Sequence, residues 1–248
     1  MAFLTDTVGI KFFGLQHFLI IFMTIGLCVC LPLFVRRRLN PVQQLWVLRW
    51  LSILICVGIL SSIVFRMAVG SFDWRQNLPL NVCNLFALLV PALFWWRPPR
   101  HLIEVFYYLV LAGTVQAVLT PDLAETFPHL LFISYWIVHC GLILHIVCVV
   151  VVWRIKPRKV GILYSLLWIN VYALIMMIFN YFTGANYMYM MEKPPAGSLL
   201  DFLGPWPWYI LTGQPLGLLL FWLAWLPFAR CRLILSVRQA LSRTRSDH

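Results

Sequence analysis

Apolar positions along this chain come in long unbroken runs, separated by short segments where charge and proline collect. Seven runs approach the ~20 residues a helix needs to cross a bilayer. They are Leu15 to Val35, Leu45 to Met67, Leu78 to Trp96, Ile103 to Leu119, Leu130 to Trp153, Val160 to Phe182 and Trp208 to Phe228. A lipid-embedded helix satisfies its own backbone polar groups, as an isolated strand cannot. The pattern therefore predicts an all-α fold, a polytopic seven-helix transmembrane bundle. Residues 1–229 form its single membrane domain, and 230–248 form a basic amphipathic tail. The fourth run is the shortest, and the second carries Arg49 and Arg66 near its two ends.

Polar residues break the pattern most clearly at the start of the third run. Asn77, Asn81 and Asn84 follow one another at helical spacing, with Cys83 one position away. Carboxamides need hydrogen-bond partners that lipid cannot supply, so this end of the helix is expected to face protein or a wet cavity. For each residue alone, interhelical bonding by Asn and burial of a small thiol are the simpler readings. In span four Gly113, Thr114 and Ala117 are expected to allow close helix packing, and Gln116 lies in the outer half. Pro121 in Thr120-Pro-Asp122 stops that helix.

Composition agrees with the runs. The chain has 248 residues, 62% hydrophobic and 11% charged, which places it among multi-pass membrane proteins. Arg36 to Arg38, Arg97, Arg100, Arg154, Lys156, Arg158, Lys159 and the tail arginines all fall on one side of a seven-span bundle. The other side holds Lys11, Arg75 and Lys193, together with Asp6, Asp73, Asp122, Glu125, Glu192 and Asp201. The positive-inside rule then sets the N-terminus outside and the C-terminus in the cytoplasm of a cell membrane. The net charge of +11 is this bias plus the tail, and nucleic acid is not implied. The tail reads as an interfacial helix on anionic lipid. Met1 to Phe13 lacks an apolar core with a small-residue cleavage site, so no cleavable signal peptide is expected.

Candidate chemistry is sparse. Six of the seven cysteines sit inside spans, which gives neither a disulfide framework nor a zinc site. His139 and His145 are six apart, off one helical face, so no metal clip is expected from them. His139 lies about 13 Å below the start of its span and Cys83 about 8 Å below Leu78. A buried His in a span is a functional candidate, weighed against a structural interhelical bond. His17, near the outer end of span one, is expected to be solvated. Arg66 has two readings: a snorkelling side chain, or a cation facing a cavity that holds a lipid phosphate or pairs with Asp73. The outer loop contains Asn180, Asn186 and a Ser198-to-Asp201 capping-box spacing, then Gly204-Pro-Trp-Pro-Trp-Tyr209. Gln214 and Pro215 lie in the outer half of span seven. That span has no Lys, which excludes a retinal Schiff base there. No Gly-rich phosphate loop or nucleotide motif is present, and no cofactor is expected.

Leu78-Pro-Leu-Asn-Val-Cys-Asn84, Gln116 to Asp122, Phe127-Pro-His129, His139, Ala185 to Met188, Lys193-Pro194 and Ser198 through Tyr209 resemble the bacterial YwaF-type integral membrane family. The match runs from about span three to the start of span seven. That family is similar, more distantly, to eukaryotic membrane acyltransferases that move polyunsaturated acyl chains between phospholipids and lyso-ether-phospholipids. In those enzymes a membrane Cys carries the acyl group as a thioester. The resemblance implies Cys83 as the matching nucleophile and His139 as the matching base, with His129 and His145 as nearby alternatives. The chemistry is coherent. A thiolate conserves ester energy without ATP when a His takes its proton. Asn81, Asn84 or Gln116 could steady the oxyanion, Arg66 could hold a phosphate, and Asn180, Asn186 and Gln214 complete the substrate-binding candidates. The partners implied are a phospholipid and a lysophospholipid. A transporter or receptor with a ligand cavity in the outer half, and a structural membrane protein without catalysis, are the rival classes.

Overall fold

The computed structural model describes residues 14–194 and 198–246. Among them every regular element is helical. In chain order these are α1 (Leu15–Arg38), α2 (Pro41–Ala68), the short α3 (Trp74–Asn77), α4 (Val82–Trp95), α5 (Arg100–Leu109), a π-helical turn (Val110–Thr114), α6 (Val115–Leu119), α7 (Leu130–Val152), α8 (Lys159–Thr183), two 3-10 turns (Tyr187–Tyr189 and Leu199–Leu203) and α9 (Trp208–Ser246). Six stretches are long and apolar enough to cross a membrane: α1, α2, Arg100–Leu119, α7, α8 and Trp208–Ala229 of α9. α4 is the shorter seventh. The all-helical, multi-pass bundle expected from the sequence is thus present. The segment read as a signal-free N-terminus, Met1 to Phe13, lies outside the described residues. In the tail, helix α9 runs straight on to Ser246.

Span three starts four residues later than its apolar run. Leu78 and Leu80 close a tight turn, Leu80 N–H donating to the Leu78 carbonyl at 2.8 Å, and helix begins only after Asn81 in extended conformation. Pro79 and the preceding α3 leave no room for an earlier start. The 14-residue α4 is about 21 Å long, short of the ~30 Å hydrocarbon core.

α7 is the axis of the bundle, packing against α1, α2 and α4. The tightest seam is α2 against α7. A Cβ on Gly58 would stand 2.8 Å from Ile137 Cγ2, and one on Gly141 would stand 2.8 Å from Ile55 Cγ1. Each isoleucine fills the hollow left by the other helix's glycine, and Ser61 and Ser134 bond across the seam at 3.0 Å. Small residues let backbones approach where lipid gives no hydrophobic drive. Gly113, expected to serve that purpose, has open space around it; the close approaches fall at Gly58, Gly141 and Gly161. Large apolar side chains on α1, α8 and α9, among them Phe22, Leu167 and Leu218, face outward as a lipid-facing surface should.

The basic end of the bundle is pinned by Glu104, fully buried on α5. Its Oε1 accepts from Arg100 Nε at 3.1 Å and from Arg158 Nε at 2.8 Å, and Oε2 accepts from Arg158 at 2.9 Å. Tyr108 donates to the Arg158 carbonyl at 2.9 Å. Gly161 is required here, because a Cβ would meet Glu104 Cβ and Tyr108 Cε2, both at 2.9 Å. Arg49 lies between Trp46 and Trp95 at 5.1 and 4.6 Å and donates to the Trp95 carbonyl at 2.8 Å, tying α2 to the end of α4.

Candidate functional site

Cys83 sits in the first turn of α4, half-buried, with its sulfur 3.3 Å from Thr114 Oγ1. Thr114 closes the π-helical turn Val110–Thr114. An inserted residue in a helix rotates every side chain after it, and such bulges recur at functional sites. Here the bulge turns a fully buried hydroxyl onto the one thiol at the mouth of α4. The periodicity of span four gives no sign of it, because apolar and small residues continue unbroken through the turn.

The second part of the site is a stacked pair on α7. The rings of Tyr135 and His139 lie 4.0 Å apart at 30°. His139 Nδ1 is 2.8 Å from the Tyr135 carbonyl, which can only accept, so Nδ1 carries the proton and Nε2 is left with the lone pair. The Tyr135 hydroxyl donates to the Ala117 carbonyl at 2.8 Å. Tyr135 thus ties α7 to α6 and stacks on His139. Sequence reasoning missed it; its i, i+4 spacing from His139 is the signal that puts both on one face.

The other histidines have different surroundings. His129 caps α7, its Nδ1 accepting from Leu131 N–H at 3.2 Å. His145 is fully buried between Phe94 and Phe106, at 4.6 and 6.1 Å. Neither of its nitrogens makes a well-formed hydrogen bond, the Leu48 backbone being its polar neighbour. His17 corrects the expectation of a solvated residue. It is fully buried, with Nε2 2.8 Å from the Val118 carbonyl and its ring against Trp136. The end of α6 stops at Leu119 and leaves that carbonyl without a helical partner, which gives the imidazole its bond.

The loop between α8 and α9 folds over the end of the bundle where α4 begins. Met188 and Tyr189 hold positive φ of 59° and 54°, a conformation costing side-chain-bearing residues roughly 1–2 kcal/mol each. Asn81 Oδ1 accepts from Met188 N–H at 2.8 Å, Tyr189 donates to Asp122 Oδ2 at 2.6 Å, and Tyr209 donates to the Tyr189 carbonyl. Burial raises the Tyr187 phenol above its ordinary range, so it stays neutral and works in both directions. It donates to the Trp74 carbonyl and accepts from Leu78 N–H at 3.0 Å. The Ser198–Asp201 capping box forms as its spacing implied, Ser198 N–H donating to Asp201 Oδ2 at 2.8 Å.

The predicted substrate-binding residues divide into two groups. Asn81 clamps Met188. Asn180, buried, exchanges two bonds with the Tyr187 backbone at 2.9 and 3.0 Å. Asn186 Oδ1 accepts from Met191 and Glu192 N–H at 3.0 and 3.2 Å. Gln214 accepts from Asn170 at 3.1 Å, both exposed, bridging α8 and α9. By contrast Asn84 and Gln116, both half-buried, make no side-chain hydrogen bond among the described residues. Arg66 is half-buried at the end of α2 and forms no ion pair among the described residues. Of the partners weighed for it, Asp73 is occupied as the cap of α3, accepting from Arg75 N–H at 2.9 Å. No group of three or more His, Cys, Asp or Glu able to hold a metal occurs among the described residues.

No curated protein and no solved structure matches the chain. The family profile described as TMEM164 matches residues 12–225, which take in α1 through nearly all of the apolar part of α9, with Cys83, Thr114, Tyr135 and His139 among them. On this match, and with several helices of membrane-crossing length, the chain is a multi-pass integral membrane protein belonging to the TMEM164 family.

Proposed function

We propose that this protein is a membrane-embedded phospholipid acyltransferase, working through a thioester on Cys83 with His139 as proton carrier. The observation that supports the reading is a thiol in the first turn of α4 bonded to Thr114 at 3.3 Å, together with a buried histidine on α7 whose Nδ1 is engaged and whose Nε2 carries the lone pair. The likeness of the motifs around Cys83 to YwaF-type proteins and, more distantly, to eukaryotic membrane acyltransferases supports the same reading.

In this mechanism His139 Nε2 takes the Cys83 proton and the thiolate attacks the carbonyl carbon of an acyl ester. The carbonyl pair moves onto oxygen, and Asn84 and Gln116, the two amides free of protein bonds, donate to it. Collapse breaks the ester C–O bond. The lysophospholipid alkoxide leaves with the proton from His139, and the acyl group stays on sulfur. A second lipid's hydroxyl then gives its proton to His139 and attacks the thioester, and the thiolate is the leaving group. The ester bond energy is kept throughout, so no ATP is consumed. Asn81, Asn180 and Asn186 serve by holding the loop over the site. Arg66, free of a carboxylate partner, is the candidate for the donor's phosphate.

Turnover of labelled phospholipid by protein in vesicles tests this. Cys83→Ser keeps the shape but substitutes a hydroxyl that ionises far less readily, and turnover should fall by orders of magnitude with the fold intact. His139→Ala should slow the reaction, with partial recovery as pH rises and the thiol ionises unaided. Wild-type turnover by Cys83→Ser would exclude the mechanism.

A further inference from the structure

At the opposite end of the bundle from Cys83, the α4–α5 and α7–α8 connections enclose an open cavity of about 490 Å³. Arg97, Arg100, Arg154 and Lys156 line it, with Trp153 in its wall. Arg158 stands next to it, bound to Glu104. The carboxylate of Glu104 is saturated by Arg100 and Arg158, and Arg100 also donates to the Lys156 carbonyl at 2.6 Å. Arg97, Arg154 and Lys156 are left without a carboxylate partner among the described residues. Arg97 is steadied by the Trp153 ring 4.9 Å away, and Arg154 is held at a φ of 53° that a side chain disfavours. Three unneutralised cations crowded into one concavity repel one another, and an anion relieves that repulsion.

The surroundings indicate which anion. Trp95, Trp96 and Trp153 cluster at this end, and Trp96 is 74% exposed, in the manner of a belt at headgroup depth. A phosphate in a neighbouring lipid headgroup lies at that level, and guanidinium groups match its geometry with paired donors. We propose that this cavity binds the headgroup phosphate of an anionic phospholipid, with Arg97, Arg154 and Lys156 supplying the charge. The site is independent of the acyl-transfer reading and lies about one α4 length, roughly 20 Å, from Cys83.

Native mass spectrometry of the full-length protein, given phosphatidylglycerol and phosphatidylcholine in equal amounts, tests it. The wild type should retain phosphatidylglycerol preferentially. Arg154→Gly removes a charge and suits the positive φ, so it should lower that preference about fivefold without loss of thermal stability. Arg97→Gln with Arg154→Gly should lower it about thirtyfold. Arg36→Gln with Arg37→Gln, exposed on the α1–α2 side and outside the cavity, should leave it unchanged. Displacement of phosphatidylglycerol by inorganic phosphate would support the phosphate as the recognised group. Equal loss in the Arg36/Arg37 control would reduce the effect to general surface charge and overturn the site. So would an unchanged preference in the Arg97/Arg154 variant. Binding of inorganic phosphate with no preference for phosphatidylglycerol would overturn the lipid assignment.

Discussion

The α2–α7 seam makes a quantitative prediction. Gly141→Ala places a methyl 2.8 Å from Ile55 Cγ1, where overpacking costs about 1–3 kcal/mol. Alanine's better helix propensity returns about 1 kcal/mol, so the net loss should be about 0–2 kcal/mol. Ile55→Ala, at a position only 1% exposed, should cost about 2–5 kcal/mol through lost contacts and the cavity left behind. Together the changes are complementary, since the new methyl moves into the space that Ile55 vacates. The double variant should be more stable than the sum of the singles by about 1–2 kcal/mol, within the usual range for contacting residues. Unfolding followed by circular dichroism in mixed micelles, on wild type, both singles and the double, gives the cycle. Additivity to within about 0.5 kcal/mol would refute the interlocked seam.

Two further outcomes follow from the loop and the topology. Tyr187→Phe strands the Trp74 carbonyl and the Leu78 N–H, and should cost about 1–3 kcal/mol, with faster proteolysis between Asn186 and Trp208 as the local readout. A cysteine engineered into the Arg36–Arg38 loop should react with an impermeant maleimide from the cytoplasmic side alone; labelling from outside would reverse the orientation drawn from the basic loops.

The bundle was legible because lipid imposes a simple rule on sequence: long apolar runs, charge at the ends, and basic residues gathered on one side. The boundary of span three was less so, since Leu78 and Leu80 are as apolar as the helix that follows but belong to a turn set by Pro79 and Asn81. His17 misled for a related reason. Its partner is the carbonyl of Val118, a residue remote in the chain, freed by a helix end that only the fold defines. At the candidate site, Cys83, His139, Asn84 and Gln116 stand out as polar or reactive residues inside apolar runs. Thr114 and Tyr135 do not, because Thr and Tyr are ordinary in membrane helices. Their importance comes from a π-helical turn and a ring stack, neither of which has a sequence period. Asn81 was conspicuous for the right physical reason, that a carboxamide near lipid needs partners, and Asn180 and Asn186 stood out only as polar residues of the loop region; all three have partners. Those partners proved to be backbone groups of the loop.

The most direct measurement of the acyl-transfer account is the intact mass of the purified protein after incubation with a phospholipid bearing one defined acyl chain. The account predicts a mass increase equal to that acyl group, mapped to Cys83 by fragmentation and discharged by neutral hydroxylamine as a thioester is. The Cys83→Ser protein should show either no adduct or a hydroxylamine-resistant ester. Lipid turnover by the wild type with no acyl adduct at Cys83 at any time, and equal turnover by Cys83→Ser, would contradict it.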